Sequence, residues 1–118
     1  MHGRRSPQWV ERFLGRVDAS VLVSDYEGTS ITMLESMGAG VVPVVTRVSS
    51  GVDEWIRDGE NGWLCRDRDP ADLATAILRS LDAPDEPTST EACHTAEAHD
   101  WSRVAERYLE IFRSVSRD

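Results

Sequence analysis

Two carboxylates, Glu27 and Glu35, bracket the segment Gly28-Thr29-Ser30-Ile31-Thr32-Met33-Leu34, and this spacing is where the sequence comes nearest to stating a chemistry. Thr29 or Ser30 can cap a helix that begins beside it. The backbone N–H groups from about Thr29 to Thr32 then have no partner within the helix. They sit at the positive end of its dipole, a place that holds a phosphate without any lysine. Gly28 lets such a group approach the backbone closely. Glu35, about a turn further on, is an acceptor-only carboxylate suited to a vicinal diol such as a ribose. A second reading is also open, because Thr32-x-x-Glu35 matches a capping box and Glu27 is then an ordinary loop acid.

These residues must be presented by something, and the flanking sequence supplies it. Ala19-Ser20-Val21-Leu22-Val23 is apolar without polar alternation, as expected of a parallel strand covered on both faces. Ligands of open α/β sheets bind at the carboxyl ends of such strands. Ile31, Leu34 and Met37 fall on one side of the following helix, which Gly38 and Gly40 end. Val41-Val42-Pro43-Val44-Val45 reads as a second buried strand with Pro43 near its start. A loop at Ser49-Ser50-Gly51 leads into one or two helical turns over 52–56. Asp58-Gly59-Glu60-Asn61-Gly62 is turn chemistry, and Trp63-Leu64-Cys65 is a brief third strand.

Before this unit, Trp9, Val10, Phe13, Leu14 and Val17 recur at helical spacing, with the helix ending near Gly15 or Arg16. After it, Asp69 and Pro70 open a helix striped by Leu73, Ile77, Leu78 and Leu81. The stretch from Ala83 to Thr90 reads as a surface loop, and Glu91 to His99 as weak helix. Asp100 caps a final helix over 100–117, whose Val104, Tyr108, Leu109, Ile111, Phe112 and Val115 form a wide apolar face. Alternation of strands and helices makes the fold class α/β, a partial Rossmann-like parallel sheet with flanking helices.

Composition excludes several functions. The 118 residues leave room for one modest domain. Thirteen basic against 21 acidic residues give a net charge of −8, which argues against nucleic acid as a partner. All the basic residues are Arg, so a lysine Schiff base or a P-loop lysine is excluded within this chain. Cys65 and Cys93 lie far apart without metal-ligand spacing. Cys93, His94 and His99 lack a fourth ligand, so no metal site is expected. Trp55, Trp63 and Trp101 read as packing residues, and Cys65 as a small buried hydrophobe. The N-terminal segment has no signal-peptide core, and the cytoplasm is the expected compartment.

The order and spacing of these blocks resemble a known family. Asp18-Ala19-Ser20-Val21-Leu22-Val23-Ser24, Glu27-Gly28, Leu34-Glu35-Ser36-Met37-Gly38-Ala39-Gly40, Val42-Pro43-Val44-Val45, Gly51-Val52-Asp53-Glu54 and Asp58-Gly59-Glu60-Asn61-Gly62 together resemble the donor-binding C-terminal domain of family 4 "group 1" retaining glycosyltransferases of the GT-B fold. The likeness runs on through Asp69-Pro70, Leu73-Ala74 and Trp101-Ser102. It implies that Glu27 and Glu35 are the E-x7-E pair, with Glu27 the catalytic residue beside the transferred sugar and Glu35 bound to the nucleotide ribose. Gly28, Thr29, Ser30, Ile31 and Thr32 would hold the sugar and a phosphate of a nucleotide-diphosphate sugar donor, with no metal or other cofactor.

The resemblance also implies what 1–118 lacks: upstream strands carrying the diphosphate-binding cations, and the N-terminal acceptor domain of the same enzyme. Arg47 and Arg66 are expected at the surface. The isolated chain is expected to be inactive and, with part of the last helix uncovered, to self-associate. In the complete enzyme the expected location is the inner face of the membrane. Two other functions fit parts of the sequence. One is a non-catalytic nucleotide-sugar-binding remnant. The other is a receiver-like signalling domain, suggested by Asp25 at a strand end but lacking the upstream acidic pair and the lysine that such a domain needs.

Overall fold

The computed structural model describes residues 3–25, 28–47, 52–66, 69–82 and 85–116. Its elements run α1 (Pro7–Leu14), β1 (Ala19–Leu22), α2 (Ile31–Gly38), β2 (Val42–Thr46), α3 (Val52–Trp55), β3 (Trp63–Cys65), α4 (Pro70–Asp82), α5 (Asp85–Ala98) and α6 (Trp101–Val115). The three strands form one parallel sheet in the order β1-β2-β3, with Ala19 opposite Val42 and Val44 opposite Trp63.

Alternation along the strands divides the core in two. Val45 and Leu64 face Met33, Met37, Val52, Ile56 and Ala92 on the side of α2, α3 and α5. Val42, Val44, Trp63 and Cys65 face the other way, onto Ala76, Leu73 and Ile77 of α4. Every residue of β2 and β3 is buried, because both faces of the sheet are covered there. The same was expected of β1, but Val21 is 46% exposed. β1 is an edge strand among the described residues, and α4 lies mainly over β2 and β3. Pro43 occupies the second position of β2, opposite Ser20 of β1. It lies one residue before the β3 ladder begins at Val44, so its missing N–H removes no bond from that ladder.

Several helix faces differ from the pattern reading. In α2 the buried residues are Met33, Ser36 and Met37, whereas Ile31 is 62% exposed. Ser36 turns inward because its Oγ donates to the Thr32 carbonyl at 2.9 Å, a bond that satisfies the hydroxyl within the helix. In α4, Leu73 and Ile77 pack on the core as expected, but Leu78 and Leu81 are exposed and Ala76 and Ser80 take the inner positions. The small side chains permit the close approach of helix to sheet.

The segment expected to be a loop up to Thr90 is helical from Asp85 onward. Pro87 falls in the first turn of α5, where no intrahelical N–H is needed. Residues 83 and 84, and the loop expected at Ser49-Ser50-Gly51, lie outside the described residues. α5 packs against α2 through small groups: Ala92 is fully buried and Ala96 partly so, beside Gly38. Ser89 Oγ donates to the Gly40 carbonyl at 2.7 Å. Gly40 has φ +77, and a Cβ there would lie 3.0 Å from Ser89 Oγ, so glycine is required by both conformation and space.

The turn at 58–62 is a buried junction. Asn61 is fully buried; its Oδ1 accepts from the Arg57 amide at 2.7 Å, and its Nδ2 donates to the Trp55 carbonyl at 2.8 Å and to Thr95 Oγ1 at 2.9 Å. One side chain thus joins the end of α3, the turn and α5. Asp58 Oδ1 accepts from the Leu64 amide at 2.9 Å and aligns the start of β3. A Cβ on Gly62 would stand 3.0 Å from both Ile56 Cγ2 and the Pro43 carbonyl oxygen, so β2 passes this turn at backbone contact.

α1 and α6 are the exceptions to this packing. Neither contains a buried residue. Trp9 and Phe13 of α1 stack on each other with ring centroids 4.9 Å apart. Trp101, expected to be a packing residue, is 79% exposed, whereas Trp63 is buried and Trp55 lies against the core. Among the described residues no helix is long and apolar enough to cross a membrane.

Candidate functional site

In chain order the carboxyl end of β1 is followed by Gly28, Thr29 and the start of α2. Thr46 Oγ1, at the end of β2, donates to the Ser24 carbonyl at 3.2 Å and lies 3.4 Å from that of Leu22, pinning the start of the β1–α2 loop to the neighbouring strand. Glu27 lies outside the described residues. Gly28 and Thr29 are exposed, and Ser30, in extended conformation, is the N-cap of α2 with its Oγ accepting from the Met33 amide at 3.3 Å.

This cap decides one question about Glu35. With Ser30 as N-cap, the N3 position is Met33, and Thr32 is already inside the helix. Thr32-x-x-Glu35 therefore does not form a capping box, and Glu35 stands exposed one turn into α2. The amides of Ile31 and Thr32 precede the first residue that has an acceptor within the helix, so they face outward at the positive end of its dipole. Ser30 is buried, whereas Gly28, Thr29, Ile31, Thr32 and Glu35 are exposed.

Two concavities flank this loop. One, of about 920 Å³, opens between α2 and the α5–α6 corner; Thr29, Ile31, Glu35, Trp55, His99 and Trp101 are among its lining. The other, of about 210 Å³, lies at the carboxyl ends of all three strands, with Val23, Asp25, Thr46, Cys65 and Asp69 in its wall. Asp69 acts as the cap of α4, its Oδ2 accepting from the Asp72 amide at 3.3 Å. Asp72 in turn accepts from the buried Cys65 thiol at 3.2 Å and from the Arg66 amide at 2.8 Å. Cys65 is buried as expected, with this polar contact in addition.

The large cleft has residues that the sequence reading did not single out together. Trp55 and His99 contact each other with ring centroids 4.0 Å apart, and His99 Nδ1 lies 2.8 Å from the Thr95 carbonyl. The His99 ring is thereby held against an aromatic wall next to the α2 face. Cys93, His94 and His99, considered above as metal ligands, are separately engaged: His94 Nδ1 lies 3.4 Å from Glu91 Oε1, and Cys93 approaches Gly40. No signal in the sequence links Trp55 to His99, 44 positions later, because their meeting depends on how α5 docks. Arg47 and Arg66 are both exposed.

A site of this geometry offers outward amides, a free carboxylate one turn away and an aromatic-walled cleft at a strand end, a combination suited to a phosphorylated, hydroxyl-bearing ligand. Comparison with known proteins agrees on the kind of domain that carries it. The family described as "Glycosyl transferases group 1" matches residues 1–83. Glycogen synthase of Mycobacterium tuberculosis is 33% identical over 109 residues, covering 88% of this chain and 26% of that protein. D-inositol 3-phosphate glycosyltransferase of Thermomonospora curvata is 33% identical over 97 residues, covering 80% of this chain and 22% of the relative. The chain thus spans about a quarter of the length of these curated relatives.

Among solved structures, sucrose-phosphate synthase from Thermosynechococcus elongatus superposes with a TM-score of 0.81 at 22% identity, over 98% of this chain and 29% of that one. A pneumococcal O-GlcNAc transferase in complex with UDP and GlcNAc gives 0.74 at 20% identity, over 92% and 23%. These likenesses establish the fold, a Rossmann-like α/β sheet of the GT-B glycosyltransferase type. The family match includes the strand-end Asp25, which sets the receiver-like reading aside. With its Rossmann-like sheet and a family match running through the β1–α2 loop to the end of α4, the chain belongs to the group 1 glycosyltransferases.

Proposed function

We propose that this chain is the donor-binding portion of a family 4 retaining glycosyltransferase, a hexosyltransferase-like enzyme that takes its sugar from a nucleotide-diphosphate sugar. The observation that carries the reading is the exposed Glu35, freed from any capping role by Ser30 and placed on the cleft beside the amino end of α2. Glu35 accepts hydrogen bonds from the ribose hydroxyls. The outward amides from Gly28 to Thr32 receive the sugar hydroxyls and a phosphate, aided by the helix dipole. Glu27, the other member of the E-x7-E pair, lies beside the sugar and supports positive charge as the bond from the anomeric carbon to the diphosphate breaks. No metal or cofactor enters this scheme, and the diphosphate is neutralised by the helix dipole and by cations from the remainder of the enzyme.

The relative solved with UDP and GlcNAc supports a nucleotide-sugar ligand for this fold. Transfer needs both reactants held in place. The acceptor domain is the natural partner of this portion, so the isolated chain binds nucleotide without turnover. The complete enzyme works in the cytoplasm at the inner face of the membrane.

Calorimetric titration of the 118-residue chain with UDP, ADP and GDP tests the reading. Loss of charge-assisted hydrogen bonds worth about 1.5–3 kcal/mol makes Glu35→Ala bind its nucleotide roughly tenfold to a hundredfold more weakly. The variant should fold normally, since Glu35 is exposed. Equal affinity in a folded variant would overturn the assignment. Enzyme-dependent glycosyl transfer by the chain alone would overturn its expected inactivity.

A further inference from the structure

His99 differs from the other polar residues of the large cleft because its ring is fixed on two sides. Nδ1 lies 2.8 Å from the Thr95 carbonyl, and the ring rests on Trp55 with 4.0 Å between centroids. Both supports are anchored in turn. The Trp55 carbonyl and Thr95 Oγ1 accept from Nδ2 of the fully buried Asn61, at 2.8 and 2.9 Å. The half-buried imidazole is therefore held by the core, as a preorganised binding group must be. The charged neighbours in the cleft wall are placed otherwise. Asp100 is engaged by the Ser102 amide at 2.8 Å, and Glu97 and Arg103 are exposed and opposite in charge.

The contact with Thr95 also decides what the ring can do. A carbonyl oxygen only accepts, so Nδ1 carries the proton of the neutral imidazole and Nε2 bears the lone pair. Nε2 makes no hydrogen bond among the described residues and is not sealed from solvent, whereas Trp63 Nε1 is both unpartnered and buried. His99 thus offers the cleft a single acceptor of fixed orientation.

The docking of α5 sets this acceptor beside Glu35. Gly40, just past α2, meets Ser89 and Cys93, whereas Gly38 meets Ala96, so α2 and α5 run antiparallel. Three residues back from Gly38 stands Glu35. Three residues on from Ala96 stands His99, whose amide donates to the Ala96 carbonyl at 3.0 Å. About one helical turn on each side of the same contact brings the two residues to one level, and both line the cleft.

We propose that His99 Nε2 is the second acceptor of the ribose, taking one of its two vicinal hydroxyls while Glu35 takes the other, so that the site selects ribonucleotides over deoxyribonucleotides. The inference rests on the nucleotide reading of this cleft. A diol presents two O–H donors, and the carboxylate and the locked imidazole are acceptors of matching number. A site built to bond a particular hydroxyl rejects the analogue that lacks it, because its own polar group is then left unpaired.

Calorimetry of the full chain with UDP, ADP and GDP and with their 2′-deoxy and 3′-deoxy counterparts tests this. His99→Phe keeps a ring against Trp55 and removes Nε2. It should weaken the ribonucleotide about tenfold and leave unchanged the deoxy analogue that lacks the hydroxyl His99 binds. His99→Gln, whose side-chain oxygen reaches about as far as Nε2, should recover most of the loss. Equal weakening of the ribonucleotide and both deoxy analogues is the signature of lost packing and overturns the proposal, as does unchanged ribonucleotide binding in both variants. If the unmodified chain binds none of the three nucleotides, the nucleotide reading falls and this inference with it. Binding that Glu35→Ala weakens and His99→Phe does not leaves that reading standing and overturns the role of His99 alone.

Discussion

α5 and α6 are consecutive helices of nearly equal length, and they place their side chains in opposite ways. α5 has almost no apolar stripe, yet Ala92 is fully buried and Thr88 nearly so. α6 has a wide apolar stripe, yet none of its residues is buried. The difference teaches that an apolar stripe records a helix's need for cover, while burial within the domain depends on whether the backbone can approach. Small residues on α5 let it lie against Gly38 of α2 and against Gly40 just beyond that helix. Large ones on α6 stay exposed.

The contrast breaks most sharply at the junction that holds α5 in place. Asn61→Ala leaves the Arg57 amide, the Trp55 carbonyl and Thr95 Oγ1 without the partner they share in the core. Unsatisfied buried groups of this kind should lower stability by about 3–5 kcal/mol, measured by urea unfolding. A loss below 1 kcal/mol would mean that α5 is held by its small residues alone.

Ala92→Leu tests those small residues. Added volume at a fully buried position between α5 and α2 should cost about 1–3 kcal/mol in the same assay. If stability rises instead, the interface has unfilled space and close approach is not what seats α5.

The α6 side is sharpened by pH. Asp100 is the N-cap, and its carboxyl is held below the ordinary value of 3.8, first by the hydrogen bond from the Ser102 hydroxyl and then by that from the Ser102 amide. A depressed folded value means that the cap contributes fully above the unfolded value and is lost as pH falls through the folded one. Acidification below pH 3.8 should therefore fray α6, seen as a loss of amide protection in Ser102 and Val104. Asp100→Asn, an uncharged cap, should remove this step from the profile. An unchanged profile would mean that the carboxylate is not what holds the end of the helix.

The smallest effect is expected on the apolar stripe itself. At concentrations where the chain is monomeric, Ile111→Ala and Leu109→Ala should change unfolding free energy by no more than about 0.5 kcal/mol, because both side chains are exposed. A larger loss in dilute solution would show that α6 is already packed within one copy.

What the sequence by itself determined was largely local. The apolar runs at 19–23, 41–45 and 63–65 mark the three strands, and the caps Ser30, Asp69 and Asp100 mark helix starts, because strand burial and capping depend on neighbours within a few residues. The tertiary structure decided matters that depend on distant partners. Among the described residues it left β1 at the edge of the sheet and Val21 exposed, since covering a strand needs neighbours on both sides. It turned Asn61 from a turn residue into a buried joint, since Thr95 reaches it only after α5 docks. It also separated Glu35 from a capping role by starting α2 at Ser30, two residues earlier than Thr32 would have allowed. Periodicity states which face of a helix avoids water, but only the packed neighbours determine whether that face is covered, and none of the α6 residues is buried by the described ones.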